Sequence, residues 1–259
     1  MELSTNSETY FVAEGSIVRR IWGRADTVLV IFAGAAAEFA LNKAVDWLYF
    51  TGKIPNDPIG RLFSTVTYAH RIIFSGEEEA IDAIQSINRI HSNIEQARGS
   101  RIPDWAYRDV LYMLIDYSIR SYELLDRKLT EYEKEELFDV FLRMGKNMAL
   151  EGLPDTFSEW QLSRDEHLRD NLAAGNYTRD LFLRYRGHLG PIRYRLMVQV
   201  QSLILPLHPL GLLNLSRPLA IRIPLRLYRR CRRAAFSNHA LSLLLPKKYK
   251  TAIASLNRS

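Results

Sequence analysis

From Glu77 onward the apolar residues fall three and four positions apart. Ala80, Ile84, Ile87, His91 and Ile94 share one face of a helix predicted over about 77–97. The same spacing returns over about 104–129, where Val110, Leu114, Tyr117 or Ser118, and Leu125 form the inner side. No stretch alternates apolar and polar residues in the manner of a half-buried strand. With 259 residues, 47% of them apolar, the chain can bury one large core. The predicted fold is all-α, a single helical domain of roughly eight or more helices over 1–205. A Pro-punctuated, basic C-terminal extension over 206–259 follows it. The chain carries no low-complexity tract and no internal repeat with a period of about 20–50 residues.

Start and stop signals divide the chain further. Asp26 or Thr27 is placed to cap a helix running to about Phe50. Gly52–Asp57 reads as a loop. Asp57 as N-cap and Pro58 at the first helical position then open a helix to Phe74. Ser75-Gly76 ends it, and Glu77, Glu78 and Glu79 load the next first turn with the charge that the helix dipole favours. Gly99 and Pro103 separate that helix from the one at 104–129. Thr130-Glu131-Tyr132-Glu133 matches a capping box and opens a helix that stops before Gly152 and Pro154. Two or three shorter helices continue to about 205.

The net charge of +6 is an average over two unlike parts. Residues 190–259 contain 13 Lys and Arg and no Asp or Glu, which leaves 22 basic against 29 acidic residues in the rest, a net of −7. An acidic body thus carries a basic tail. The tail's Leu219–Leu227 stretch mixes Leu, Ile and Arg, as suits an anionic membrane face or a collar around the acidic body. Its only aromatics are Tyr194, Tyr228, Phe236 and Tyr249, so nucleic-acid binding ranks below membrane contact. The lone cysteine, Cys231, excludes a disulfide scaffold and multi-cysteine zinc or iron–sulfur sites. Its arginine neighbours favour the thiolate if the side chain is exposed, which alone is poor evidence of catalysis. Met1–Gly15 has three acidic residues and no basic segment, unlike a signal peptide. Charged and polar residues interrupt Val28–Phe50, and Gln199, Gln201, His208 and two prolines interrupt Leu196–Leu215. Neither is an uninterrupted membrane span of about 20 residues. The expectation is a cytoplasmic protein with peripheral membrane contact through 206–259.

Three places offer chemistry. His91 lies on an apolar stripe, so its ring should point into the core, either as a core histidine with a hydrogen-bond partner or as a metal or haem-iron ligand. Arg61 and Thr65 stand four apart on one helix face, where Arg61 can grip a carboxylate such as a propionate and Thr65 can offer a hydroxyl. An ordinary surface arginine and mid-helix threonine would show the same spacing. His70 has no second ligand at chelating distance in sequence. Asp165, Glu166 and His167 are contiguous and read as a solvated face. The chain has no GxGxxG, P-loop, GxSxG or HExxH motif, which leaves nucleotide-binding and hydrolase templates without support.

The order of these elements resembles one known family. Asp57-Pro58-Ile59-Gly60-Arg61-Leu62-Phe63-Ser64-Thr65 comes first, followed by Phe74-Ser75-Gly76 and Glu79-Ala80. Arg89-Ile90-His91, Tyr122-Glu123 and Leu153-Pro154-Asp155-Thr156 complete the order. Over roughly residues 15–205 this is similar to the haem-dependent oxygenases that include the latex-clearing (rubber oxygenase) proteins and MpaB. The resemblance implies haem b as cofactor, with His91 as iron ligand and Arg61 and Thr65 beside the cofactor. It also implies a lipophilic small-molecule substrate and dioxygen as partners. The sequence departs from the family pattern at three places. Leu41-Asn42 replaces a His-Pro pair, Ser64 replaces a lysine, and Asp109–Leu114 lacks a Trp and a His-Ala-Thr element. The alternative function is a non-catalytic helical module that binds a lipid or membrane surface through its basic tail.

Overall fold

The computed structural model describes residues 9–51, 56–217 and 222–232. Among these residues it contains eleven helices and no strand, only the isolated bridges Tyr10–Gly76 and Asn42–Leu172. In chain order the helices are α1 (Ile17–Trp22), α2 (Ala25–Leu41), α3 (Asp46–Phe50), α4 (Pro58–Phe74) and α5 (Glu77–Arg98). They continue with α6 (Asp104–Leu125), α7 (Glu131–Asn147), α8 (Phe157–Asp170), α9 (Asn176–Ile204), α10 (Leu207–Leu212) and α11 (Arg222–Cys231). The all-α, single-domain expectation holds. No helix among the described residues is long and apolar enough to cross a membrane.

Small residues make the centre possible. Helix α2 is almost wholly buried, and Gly34 lets α6 and α9 close on it. A Cβ at Gly34 would lie 2.5 Å from the Tyr117 ring and 2.7 Å from Ile204 Cδ1. Trp22 fills the space between α1, α2 and α7, edge-on to Phe32 and tilted against Phe141, while its Nε1–H donates to Ser118 Oγ at 3.1 Å. Buried aromatics of this size dominate core energetics, and the indole N–H needs the partner it has here.

Several boundaries differ from expectation, and the helix predicted over about 104–129 ends at Leu125. The predicted helix to Phe50 breaks after Leu41, because Asn42 turns its side chain back on the backbone. Its Oδ1 accepts from Ala44 N at 2.8 Å and its Nδ2 donates to Asp109 Oδ2 at 2.8 Å. Asn competes with helical hydrogen bonding in this way wherever its side chain reaches a neighbouring amide. Nor does Asp26 or Thr27 cap α2. The helix starts at Ala25, behind Arg24, with no side-chain cap. Predicted boundaries held better where the cap was strong. Asp57 accepts from Gly60 N with Pro58 in the first turn, and Thr130 and Glu133 form the full capping box. Helix α9 bends where Gly190 takes φ 74° before Pro191. Glycine tolerates that angle, and proline cannot continue the ladder.

Asp26 and Thr27 instead receive the basic tail. Arg232, 3% exposed, donates from Nε to Asp26 Oδ2 at 2.5 Å and from Nη2 to Asp26 Oδ1 at 3.0 Å and Thr27 Oγ1 at 2.6 Å. Its Nη1 reaches Asp126 Oδ2 at 3.1 Å, and Tyr228 donates to Asp26 Oδ2 at 2.9 Å. Burial raises the Asp26 pKa, but hydrogen bonding and charge from Arg232, with Arg24 and Tyr228, override it and leave the pKa below the ordinary 3.8. A carboxyl whose folded pKa is depressed stabilises the fold above its unfolded pKa and loses that contribution as pH falls through the lower folded value. Helix α11 should therefore stay docked at pH 5 and detach only once the pH has fallen below the ordinary carboxylate value and through the lower folded one. Asp26→Asn should release it at pH 7, speeding hydrogen exchange of amides 225–231 about tenfold or more. Unchanged exchange in that variant would show that the ion pairs do not hold the segment. The Cys231 side chain and residues 233–259, including Phe236 and Tyr249, lie outside the described residues.

Candidate functional site

The Asp57-Pro58-x-Gly60-Arg61 run builds the start of α4 from local rules. The Asp57 carboxylate caps the helix by accepting from Gly60 N at 3.1 Å, which brings it against the Gly60 backbone. A Cβ there would lie 2.4 Å from Asp57 Oδ2, so the glycine makes room for the cap. Arg61 follows one turn into a helix whose dipole already favours negative charge nearby. Its Nη1 donates to Ser64 Oγ and to Thr65 Oγ1, both at 3.0 Å. Thr65 returns a bond to the Arg61 carbonyl at 3.3 Å. The structure thus brings Arg61 and Thr65 together, as their spacing suggests. No carboxylate among the described residues pairs with Arg61, and burial lowers its pKa.

Helix α5 runs alongside α4, and its apolar stripe changes character along its length. Ala80, Ala83 and Ile84 are buried, whereas Ile87, His91 and Ile94 are half-buried and Ile90 is exposed. The expectation that His91 points into the core is therefore met only in part. Its Nδ1 is shielded from solvent and has no hydrogen-bond partner among the described residues, and its ring lies 5.0 Å from that of Tyr107, tilted by 55°. Burial, with the nearby Arg61 charge, pushes the His91 pKa down to about 4, while Glu95 acts in the other direction. At neutral pH the ring is neutral, the form that ligates a metal. The site thus gathers an uncompensated cation, a neutral imidazole and a half-open apolar stripe.

The other histidines and charges fall elsewhere. His70 is a core residue packed against Trp22 and Phe74. Asp165 and Glu166 are exposed, but His167 turns inward, against the solvated-face reading. Its Nδ1 meets Asp109 Oδ1 and it packs on Tyr112. Asn42 and Asp109, two positions where the sequence departs from the family pattern, thus meet at one buried cluster completed by α8.

Sequence reasoning missed a larger polar cluster. Arg164 binds Glu38 through both carboxylate oxygens at 2.6 and 2.7 Å, and Asp116 Oδ2 at 3.1 and 3.2 Å. Tyr117 donates to Glu38 Oε2 at 2.7 Å, and Arg120 Nε to Asp116 Oδ1 at 2.6 Å. The one available signal was a glutamate inside the otherwise apolar Val28–Leu41 run. No group of three or more His, Cys, Asp or Glu side chains able to hold a bare metal ion occurs among the described residues.

Comparison with known families gives a match over most of the chain. The family described as ER-bound oxygenase mpaB/B'/Rubber oxygenase, catalytic domain, matches residues 13–240. The match continues past 205 into the segment that docks on Asp26. No curated protein and no solved structure gave a match.

Proposed function

Starting from the fact that this chain belongs to the mpaB/rubber oxygenase catalytic-domain family, we propose that it is a haem-b-dependent oxygenase acting on a lipophilic small molecule with dioxygen. The observation that carries the reading is the pair formed by His91, neither of whose ring nitrogens has a hydrogen-bond partner among the described residues, and Arg61, a half-buried cation that no described carboxylate pairs with. Buried polar groups in folded proteins ordinarily find partners, and these two ask for complementary ones. The residues fit a haem. A neutral imidazole is a common iron ligand, an arginine fork matches a propionate, and Ile87 and Ile94 offer apolar surface to the ring system.

In this assignment His91 would ligate the iron, Arg61 would anchor a propionate, and Thr65 would keep Arg61 in reach through the 3.0 Å bond while offering a hydroxyl to the pocket. Bound haem supplies the dioxygen chemistry. The chain's own part is to hold the imidazole neutral, to place one positive charge against an acidic edge, and to line the site with side chains that exclude water. Adding haem to the purified chain should give a Soret band at one haem per chain. His91→Ala should fail to retain haem through gel filtration; a Soret band identical in the two proteins would remove the assignment.

A second surface favours membrane contact. Docked through Tyr228, Arg229 and Arg232, α11 leaves Arg226, Leu227 and Arg230 facing outward, with Leu227 64% exposed. Arginines flanking an exposed leucine suit an anionic lipid surface, which supports a peripheral membrane partner. This end of the body lies by the C-terminus of α6, near Asp126. Tyr107 and His91 lie by its N-terminus, about 28 Å away along the helix.

A further inference from the structure

We propose that Tyr107 is a positioning residue for His91 and that Glu95 holds Tyr107 in place, an inference that rests on the assignment of His91 as an axial ligand. A metal-bound histidine is usually oriented by a hydrogen bond from its second nitrogen to a carboxylate or carbonyl. Neither ring nitrogen of His91 makes such a bond among the described residues, so whichever nitrogen meets the iron, the ring needs another restraint against rotation. The side chain that packs on it is Tyr107, in the first turn of α6, with ring centroids 5.0 Å apart.

Tyr107 is itself fixed. Its hydroxyl donates to Glu95 Oε1 at 3.0 Å, and the same oxygen accepts from Ile102 N at 2.8 Å. Glu95 stands one turn beyond His91 on α5, so His91, Glu95 and Tyr107 close a loop of contacts across the α5–α6 junction. The backbone tightens the same junction. Gly99, at φ 70°, lets α5 end abruptly, and Gly99 N and Ser100 N both donate to the Glu95 carbonyl. One carboxylate thus ties the end of α5, the intervening turn and the start of α6 behind the His91 ring. Packing against a pinned tyrosine takes the place of the missing hydrogen bond.

The test uses the full chain with and without haem. Without haem, the His91 ring protons should carry a ring-current shift from Tyr107, kept in Tyr107→Phe and lost in Tyr107→Leu. With haem, Tyr107→Leu should lose the group about tenfold faster or more than wild type. Its ferric electron paramagnetic resonance spectrum should broaden as the ring samples several orientations. Tyr107→Phe and Glu95→Gln, which keep the ring but free its anchor, should lie between. If Tyr107→Leu leaves the His91 resonances, haem loss rate and ferric spectrum unchanged while His91→Ala abolishes haem retention, the positioning role fails and the axial assignment stands. If His91→Ala retains haem with an unchanged spectrum, the assignment fails and this proposal with it.

Discussion

Replacing Arg164 with alanine should cost about 3–5 kcal/mol of stability, a large share of the 5–15 kcal/mol typical of a domain. Glu38 is 1% exposed and Asp116 6%, and Arg164 is the cation that touches both. Burial works against its charge, and the two carboxylates reverse that and raise its pKa. Truncation would leave Glu38 with only the Tyr117 hydroxyl and Asp116 with only Arg120, both carboxylates largely desolvated. Uncompensated buried charge, more than the lost ion pair itself, sets the size of the effect. Urea denaturation at pH 7 measures it. The Glu38→Gln/Arg164→Met double variant should recover part of the loss, because it removes the carboxylate that Arg164 alone neutralised and leaves Asp116 paired with Arg120. A single-variant loss below about 1 kcal/mol would mean that water reaches the cluster.

Arg61 should behave in the opposite way. Arg61→Met ought to stabilise the haem-free chain by about 1 kcal/mol, since it removes a half-buried cation that no carboxylate among the described residues balances. The same variant should weaken haem retention about tenfold or more, the cost of losing a charge-assisted hydrogen bond. Opposite signs in stability and in binding mark a residue kept for a ligand, because function is commonly held at a cost in stability. Thermal unfolding of the haem-free protein and haem loss from the loaded one provide the two readings. A variant that destabilises the haem-free chain, or binds haem as well as wild type, would contradict the role given to Arg61.

These two arginines also show how far the sequence could be read. Arg61 was legible because its context is local. Asp57, Pro58 and Gly60 set the helix start by capping rules that act within four residues, and Thr65 follows at one turn. His91 was legible from periodicity, although periodicity also suggested a deeper ring than the half-buried one found. A stripe records which face is apolar, and does not record what that face packs against. Arg164 was not legible, because its partners sit 126 and 48 residues away on α2 and α6. The same holds for Arg232, whose carboxylate partner Asp26 is 206 residues distant, and for His167, which pairs with Asp109 across the α6–α8 contact. The break at Asn42 lay between these cases. Its Asx-type bond to Ala44 is local, yet Asp109, which fixes the side chain, comes from another helix.

The proposed ligation of a haem iron by His91 is tested by a His91→Gly variant. Glycine removes the imidazole and leaves a space that free imidazole can enter. In imidazole-free buffer this variant should retain little haem and show a disturbed Soret band, with both restored toward wild type as imidazole is added. Unchanged haem binding and an unchanged spectrum without imidazole would contradict it.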